Sequence, residues 1–364
     1  MPQIPVTLRP FDFAAASEAE YAAVNRHFNR AHAETLPDDP PTPLEETMAR
    51  MRNVPPFVSL HPWAGWSADG EEIVASLVAS FLKTEENRHL LQFEINVDAE
   101  YRRRGVGRAL LRLAAGVARR EERRLMMTGT DGAVPAGAAF LERIGAERGL
   151  EEHTNQLVLA DLDAALLAQW QAEGLARAAG FALGFWDGPY PEDQLAAIAA
   201  LNEVMNTAPR EKLDMEDMHF TPEHLRQMEQ MMTAAGTQRW TLYVAEAQTS
   251  RFVGFTEVWW NPNRPLVVSQ GGTGVFPEFR GLGLGRWMKA AMLARVRKER
   301  PQAQFVRTGN ADSNAAMLGI NHALGFKPFR SHCVWQLETE KAAAYLELPT
   351  PGASADPSLG GRGG

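Results

Sequence analysis

Two glycine-rich bends carry the residue pattern best suited to chemistry in this chain. One is Arg280-Gly281-Leu282-Gly283-Leu284-Gly285-Arg286, and the other, 178 residues earlier, is Arg102-Arg103-Arg104-Gly105-Val106-Gly107-Arg108. Glycines leave no side chains over a bend, so its backbone N–H groups can converge on an anion. Each bend follows an apolar stretch (90–97 and 266–275) and opens a helical run (109–117 and 287–297). The start of a helix is electropositive, so strand, bend and helix together predict a phosphate cradle, made twice. Neither bend has the Gly-Lys-Ser/Thr of a nucleotide-triphosphate loop. A dinucleotide fingerprint also fails: counted from Gly281 its last glycine is Arg286, and counted from Gly283 it is Met288. Both bends share Arg-x-x-Gly-x-Gly-Arg.

The elements around the bends repeat as well. Leu125-Met126-Met127-Thr128-Gly129-Thr130 answers Phe305-Val306-Arg307-Thr308-Gly309-Asn310 at an offset of 180, and Ile144-Gly145-Ala146 answers Leu324-Gly325-Phe326 at the same offset. Ile73-Val74-Ala75 answers Phe252-Val253-Gly254 at 179. A near-constant offset means a duplicated domain, with a period too long for a solenoid. In each copy strands alternate with helices, which predicts an α+β fold with a mixed α/β sheet. The first copy predicts strands at 6–8, 57–60, 73–81, 90–97, 125–130 and 155–159, with helices at 14–32, 44–52, 109–117 and 136–144. The second predicts helices at 192–205 and 222–235 and strands at 181–186, 240–245 and 252–260. Domains are expected at 1–160 and 180–348, joined by a helical linker at 161–179. The Pro/Gly/Ser-rich tail at 349–364 is expected to be disordered.

Composition bounds the partners. The chain has 364 residues, 45% apolar and 23% charged, with a formal net charge of −8, which disfavours a long nucleic-acid partner. The arginines at 102–104 and 108 suit a small polyanion instead. The single cysteine, Cys333, excludes an internal disulfide framework. The start lacks signal-peptide features and no apolar run is long enough to span a bilayer, so the expectation is a cytoplasmic protein without membrane contact.

The repeated motif resembles the acetyl-CoA signature of the GNAT acyltransferase superfamily, in which Arg or Gln-x-x-Gly-x-Gly/Ala holds the CoA pyrophosphate. In the second copy, Asn314 to Phe326 is similar to the family's downstream Asn, helix and Gly-Phe. The resemblance covers roughly residues 1–348 and is nearest to tandem-GNAT proteins, the group that includes mycothiol synthase; no residue carries over a substrate. It implies two GNAT folds and transfer of an acetyl group from acetyl-CoA to the amine of a small-molecule acceptor. It also implies that Val97 and Val275 end the strands pairing with pantetheine, and that the two bends, residues 102–108 and 280–286, with Asn314 bind the cofactor. The alternatives are a protein or peptide acetyltransferase and a non-catalytic CoA-binding regulator.

Catalytic candidates are fewer. Many relatives place a tyrosine acid four residues before the glycine of Gly-Phe; here Asn321 and Leu141 stand there, and Asn321 can offer only a hydrogen bond. Glu94, on one strand face with Gln92 and Asn96, is the base candidate of the first copy. Gly272 replaces it in the second, where Glu257 in an apolar strand is the candidate, its carboxyl expected to rise with burial. Each glutamate is otherwise a solvated strand-face charge. Val134 and Ala146 replace the Asn and Phe in the first copy, so the second copy is expected to be the catalytic one; the first is expected to bind CoA without turnover or to be structural, with activity there left open by its full loop and Glu94. The connection at 205–217 is expected to border the acceptor site, its acids either attracting a cationic amine or solvated. His27, His32 and His322 lack metal spacing, and no metal is expected. Cys333 and Met228, Met231 and Met232 are expected in packing roles. The chain is expected to act as a monomer or homodimer.

Overall fold

The computed structural model describes residues 4–347, so the tail expected at 349–364 lies outside the described residues. The first repeat runs β1 (Thr7–Pro10), α1 (Glu18–Thr35), α2 (Leu44–Arg52), β2 (Val58–Trp66), β3 (Ile73–Leu82), β4 (Leu90–Val97), α3 (Val106–Arg120), β5 (Leu125–Asp131), α4 (Pro135–Arg143) and β6 (Glu147–Val158). After α5 (Ala164–Arg177) the second repeats the order: β7 (Phe181–Asp187), α6 (Leu195–Asn202), α7 (Pro222–Ala234), β8 (Gln238–Glu246), β9 (Phe252–Trp260), β10 (Val267–Val275), α8 (Leu284–Glu299), β11 (Phe305–Ala311), α9 (Ala315–Ala323) and β12 (Lys327–Glu338). A last helix, α10 (Thr339–Glu347), follows.

The strands form one mixed sheet in the order β1-β2-β3-β4-β5-β12-β6-β11-β10-β9-β8-β7. The last strand of each repeat is therefore exchanged. β12 pairs antiparallel with β5 of the first repeat, and β6 pairs antiparallel with β11 of the second. The two exchanged strands pair with each other at the centre. Pairing on both sides explains why β6 extends back to Glu147, well before the strand predicted at 155–159.

The exchange also shares out the cores. Trp335 and Leu337 of β12 are buried with α3, β3 and β4 of the first repeat, and the Trp335 indole N–H donates to Thr130 at 2.8 Å. Leu157 of β6 is buried with α8 of the second. Helix α3 presents Val106, Leu110, Leu111, Ala114, Val117 and Ala118 to its core at the i, i+3, i+4 spacing of one helix face. Helix α5 is more than a linker: it packs on α8, with Gly174 directly over Trp287. The helix predicted over 192–205 is broken into α6 and a 3-10 turn at Glu203–Thr207. There the Asn202 and Thr207 side chains donate to the carbonyls of Ile198 and Val204, competing with the helical ladder.

Reciprocal polar latches tie the segment between the first two helices of each repeat to the other repeat. Asp39 takes a bond from Arg307 at 2.8 Å, and Glu46 pairs with Arg264 at 2.6 Å. In return Asp214 pairs with Arg124 at 2.7 Å, and the Glu216 N–H donates to Asn87 at 2.8 Å. Burial pushes the Glu46 carboxyl up, but Arg264, Asn263 and Arg50 outweigh it and the net shift is downward. Arg264→Ala is expected to destabilise the protein by about 1.5 kcal/mol. That is less than for a wholly orphaned buried charge, because Arg50 and Asn263 still reach Glu46. Denaturant unfolding of the two proteins measures it; an unchanged midpoint removes the latch from the stability of the fold.

Candidate active site

Both bends form the predicted cradle. Gly105 (φ 85°) and Gly283 (φ 80°) are left-handed and sit at the N-caps of α3 and α8, with no side chain capping either helix. The first-turn N–H groups are thus left for another acceptor. A side chain at Gly283 would meet nothing within 4 Å, and one at Gly105 only the Ile4 side chain at 3.4 Å.

Arg102, Arg103 and Arg108 line the cleft at the first bend, but several flanking arginines are also engaged by protein partners. Arg102 and Arg280 each donate Nε to the carbonyl ending the preceding strand, Val97 and Val275, at 2.9 Å, bracing the bend. Their outer ends bond Glu34 and Thr207. Arg108 donates at 2.7 Å to the Leu346 carbonyl in the last turn of α10, and Arg286 lies over Trp170. Val106 and Leu284 are buried. Arg103 and Arg104 are exposed beside the first bend.

The strand before each bend parts from its neighbour. β4 and β5 pair only over Leu90–Gln92 and Leu125–Met127, and β10 and β11 only over Val267–Gln270 and Phe305–Thr308. Beyond these pairs the strands splay. In the first repeat the splay opens a cleft of about 2010 Å³ that runs from Glu94, Asn96 and Val97 to Gly105 and Gly107. Typical small-ligand pockets are about 300–1,000 Å³, so this one has room for a donor and an acceptor together. Glu94 is exposed on its wall and accepts a hydrogen bond from Asn96 at 2.7 Å. The far wall comes from the second repeat: Arg330 and His332 of β12. Arg330 holds Asp131 through Nε at 2.9 Å.

The second repeat is more closed at the same place. Val204 and Met205 of the 3-10 turn pack on Gly272 and Gly274 of β10; a Cβ on Gly274 would lie 2.7 Å from Val204. β10 also bulges between Gln270 and Thr273. At that bulge Glu257 accepts from the Gly272 N–H at 3.3 Å, and burial pushes its carboxyl up, opposed by Arg239 and that bond. The direction is the one expected from its apolar strand. The large cleft thus lies in the opposite repeat from the one whose motifs are more complete.

Asn321 is corrected by its surroundings. It is 0% exposed, its Oδ1 accepts from Lys289 at 2.7 Å, and its Nδ2 donates to Asn310 at 2.7 Å. A side chain so enclosed supports α9 from within and does not face a leaving thiolate. Leu141, its counterpart, is core. Asn314 caps α9, accepting from the Met317 N–H at 3.2 Å, which Asn favours at a helix start. The acids at 213–217 are not free for an amine: Asp214 pairs with Arg124, the Glu216 carboxylate accepts from the Asn87 N–H, and Asp217 pairs with Arg210. His27 is buried between Asp98 at 2.9 Å and Ser76 at 3.0 Å, and no group able to hold a metal occurs among the described residues. Cys333 is buried, as expected, and burial pushes its thiol up. Among the described residues no helix is long and apolar enough to cross a membrane.

Two functional-looking residues were not anticipated. Lys289 is buried in α8, and burial lowers its amine to about 7. Its spacing to Leu293 and Val296 on the apolar face was the available signal. His332 enters the first cleft only through the strand exchange, which no local pattern announces.

The fold is that of two GNAT folds in one chain. Residues 21–146 match the family model described as Acetyltransferase (GNAT) family. Among solved structures the chain is similar to the tandem GNAT protein from the clavulanic acid biosynthesis pathway, with TM-score 0.73 and 25% identity, covering 92% of this chain and 98% of that one. It shares the fold of a GCN5-related N-acetyltransferase from Sphaerobacter thermophilus, with TM-score 0.65 and 15% identity over 93% and 97% of the two chains. No curated protein matches the sequence.

Proposed function

We propose that the protein transfers an acetyl group from acetyl-CoA to the amine of a small molecule by direct attack on the thioester, in the cleft of the first repeat. One observation carries this reading: a single cleft joins the Gly105–Gly107 cradle, the unpaired edge of β4 and the Glu94 carboxylate. The diphosphate would rest on the amides that open α3. Pantetheine would pair along the free edge of β4, whose N–H groups would also receive the developing oxyanion. Glu94, exposed beside this edge, would hold the incoming ammonium. Acetyl-CoA and the amine are the partners, and the cytoplasm the setting.

Steady-state CoA release with a panel of polyamines, aminoglycosides, amino acids and peptides tests the reaction. Turnover with peptides alone favours protein acetylation; acetyl-CoA binding without turnover favours a regulator. Glu94→Gln keeps its size and its contact with Asn96 but loses the charge. It is expected to lower kcat/KM about 30-fold, mainly through the KM of the amine. An unchanged amine KM removes Glu94 from the acceptor site.

One observation supports a second reading, transfer in the second repeat. Glu257 sits at the β10 bulge with its carboxyl raised by burial, as a general base near neutrality requires. Gly105→Val and Gly283→Val separate the two halves.

A further inference from the structure

Strand exchange places a row of side chains across three strands on the cleft face. In register, Asp131 on β5 stands opposite His332 on β12, and His332 stands opposite Glu152 on β6. Parity puts them on the sheet face that carries Glu94, because Gln92 pairs with Met127, four residues before Asp131. The His332 ring is fixed at one end: Nε2 lies 3.0 Å from the Thr154 hydroxyl. Nδ1 makes no hydrogen bond, and its nearest carboxylate oxygen, on Asp131, is 3.5 Å away. The Thr154 hydroxyl can donate or accept, and in the tautomer whose Nε2–H donates to it Nδ1 carries the lone pair. His332 and Asp131 both line the cleft.

Building on the reaction above, we propose that Nδ1 of His332, supplied by the second repeat, accepts the proton of the amine acceptor bound in the first repeat, with Asp131 stabilising the imidazolium. An N–H bond of the ammonium breaks and its proton goes to Nδ1. The freed electron pair forms the C–N bond to the thioester carbonyl. The tetrahedral adduct loses a second proton to solvent, the C–S bond breaks with its electrons on sulfur, and the imidazolium returns its proton to the thiolate. Each turnover releases one proton and leaves the ring neutral. An imidazole is better matched than an ordinary carboxylate to accept a proton near pH 7.

The pseudo-symmetry of the chain confines this arrangement to one side. The row continues from Glu152 to Ala311 on β11. For the second repeat Glu152 therefore takes the place of His332, and Ala311 the place of Asp131. The charged groups around His332 are Asp131, Arg330, Glu152 and His153. Burial lowers its basicity, which Asp131 and Glu152 oppose and Arg330 and His153 reinforce, so the ring is held neutral and able to accept.

The test is the pH profile of kcat/KM on the full chain, between about pH 5.5 and 9, with the best amine of the panel. Wild type is expected to lose activity on the acid side as His332 protonates. His332→Gln is expected to lower kcat about 30-fold, to leave CoA affinity unchanged and to abolish that acid limb. Asp131→Asn removes the charge that stabilises the imidazolium, so the limb should move to lower pH, which a packing role would not produce. Full kcat with an intact limb in His332→Gln overturns the inference and leaves acetyl transfer standing. No CoA release by wild type with any amine overturns both.

Discussion

Gly105→Val is expected to reduce acetyl-CoA turnover by more than about 10³-fold, whereas Gly283→Val should leave most of it. At φ 85° a β-branched residue is strongly disfavoured, at a cost of about 1–2 kcal/mol or more. The chain would relieve that strain by unwinding the start of α3, which scatters the N–H groups that define the cradle. Crowding inside the protein does not require glycine here, since only Ile4 approaches a built side chain. What requires it is the left-handed turn and the access of a ligand to the backbone. Gly283 obeys the same local rules, so Gly283→Val should disrupt its own cradle. Its effect on turnover then reports which half does the chemistry. Steady-state CoA release decides it: a silent Gly105→Val beside an inactive Gly283→Val moves catalysis to the second repeat and to Glu257.

Lys289 gives the strongest stability effect. Its amine, buried without an acidic partner, is lowered to about 7 from the usual 10.5. The unfolded chain therefore binds more protons than the folded one between these values, and stability rises with pH across that window. Relative to Lys289→Met, the wild type should gain about 2 kcal/mol between pH 7 and pH 9, a window short of the full span. Below pH 7 Lys289→Met should be the more stable protein, by about 3 kcal/mol, since removing the desolvation cost outweighs the orphaned acceptor on Asn321. Urea unfolding of both proteins across this range measures it. A difference independent of pH would mean that the amine keeps its ordinary basicity in the fold.

The fold was largely legible because its signals are local. Glycines at left-handed positions, an apolar helix face after each bend and the constant offset between copies each leave a mark in the sequence. The cradle's backbone was legible for the same reason. The protein partners of its arginines, the Val97 and Val275 carbonyls, Leu346 and Trp170, are set by geometry that spacing does not record. Asn321 looked like a ligand-facing amide because Lys289 lies 32 residues away in the chain and bonds it only in the fold. The cleft favours the repeat with the less complete motif for a related reason. Motif residues shape the anion site, whereas the width of the cleft depends on whether a segment such as Val204 and Met205 packs against the splayed strand. The exchange of β6 and β12 was hidden entirely, since both strands have the same pattern in either pairing.

The most direct measurement is a crystal structure of the full chain with CoA. It should show the diphosphate on the amides at residues 105–108, pantetheine along residues 93–97 and the sulfur beside Glu94 and His332. CoA bound only at residues 281–286, with the first cleft vacant, would contradict the account.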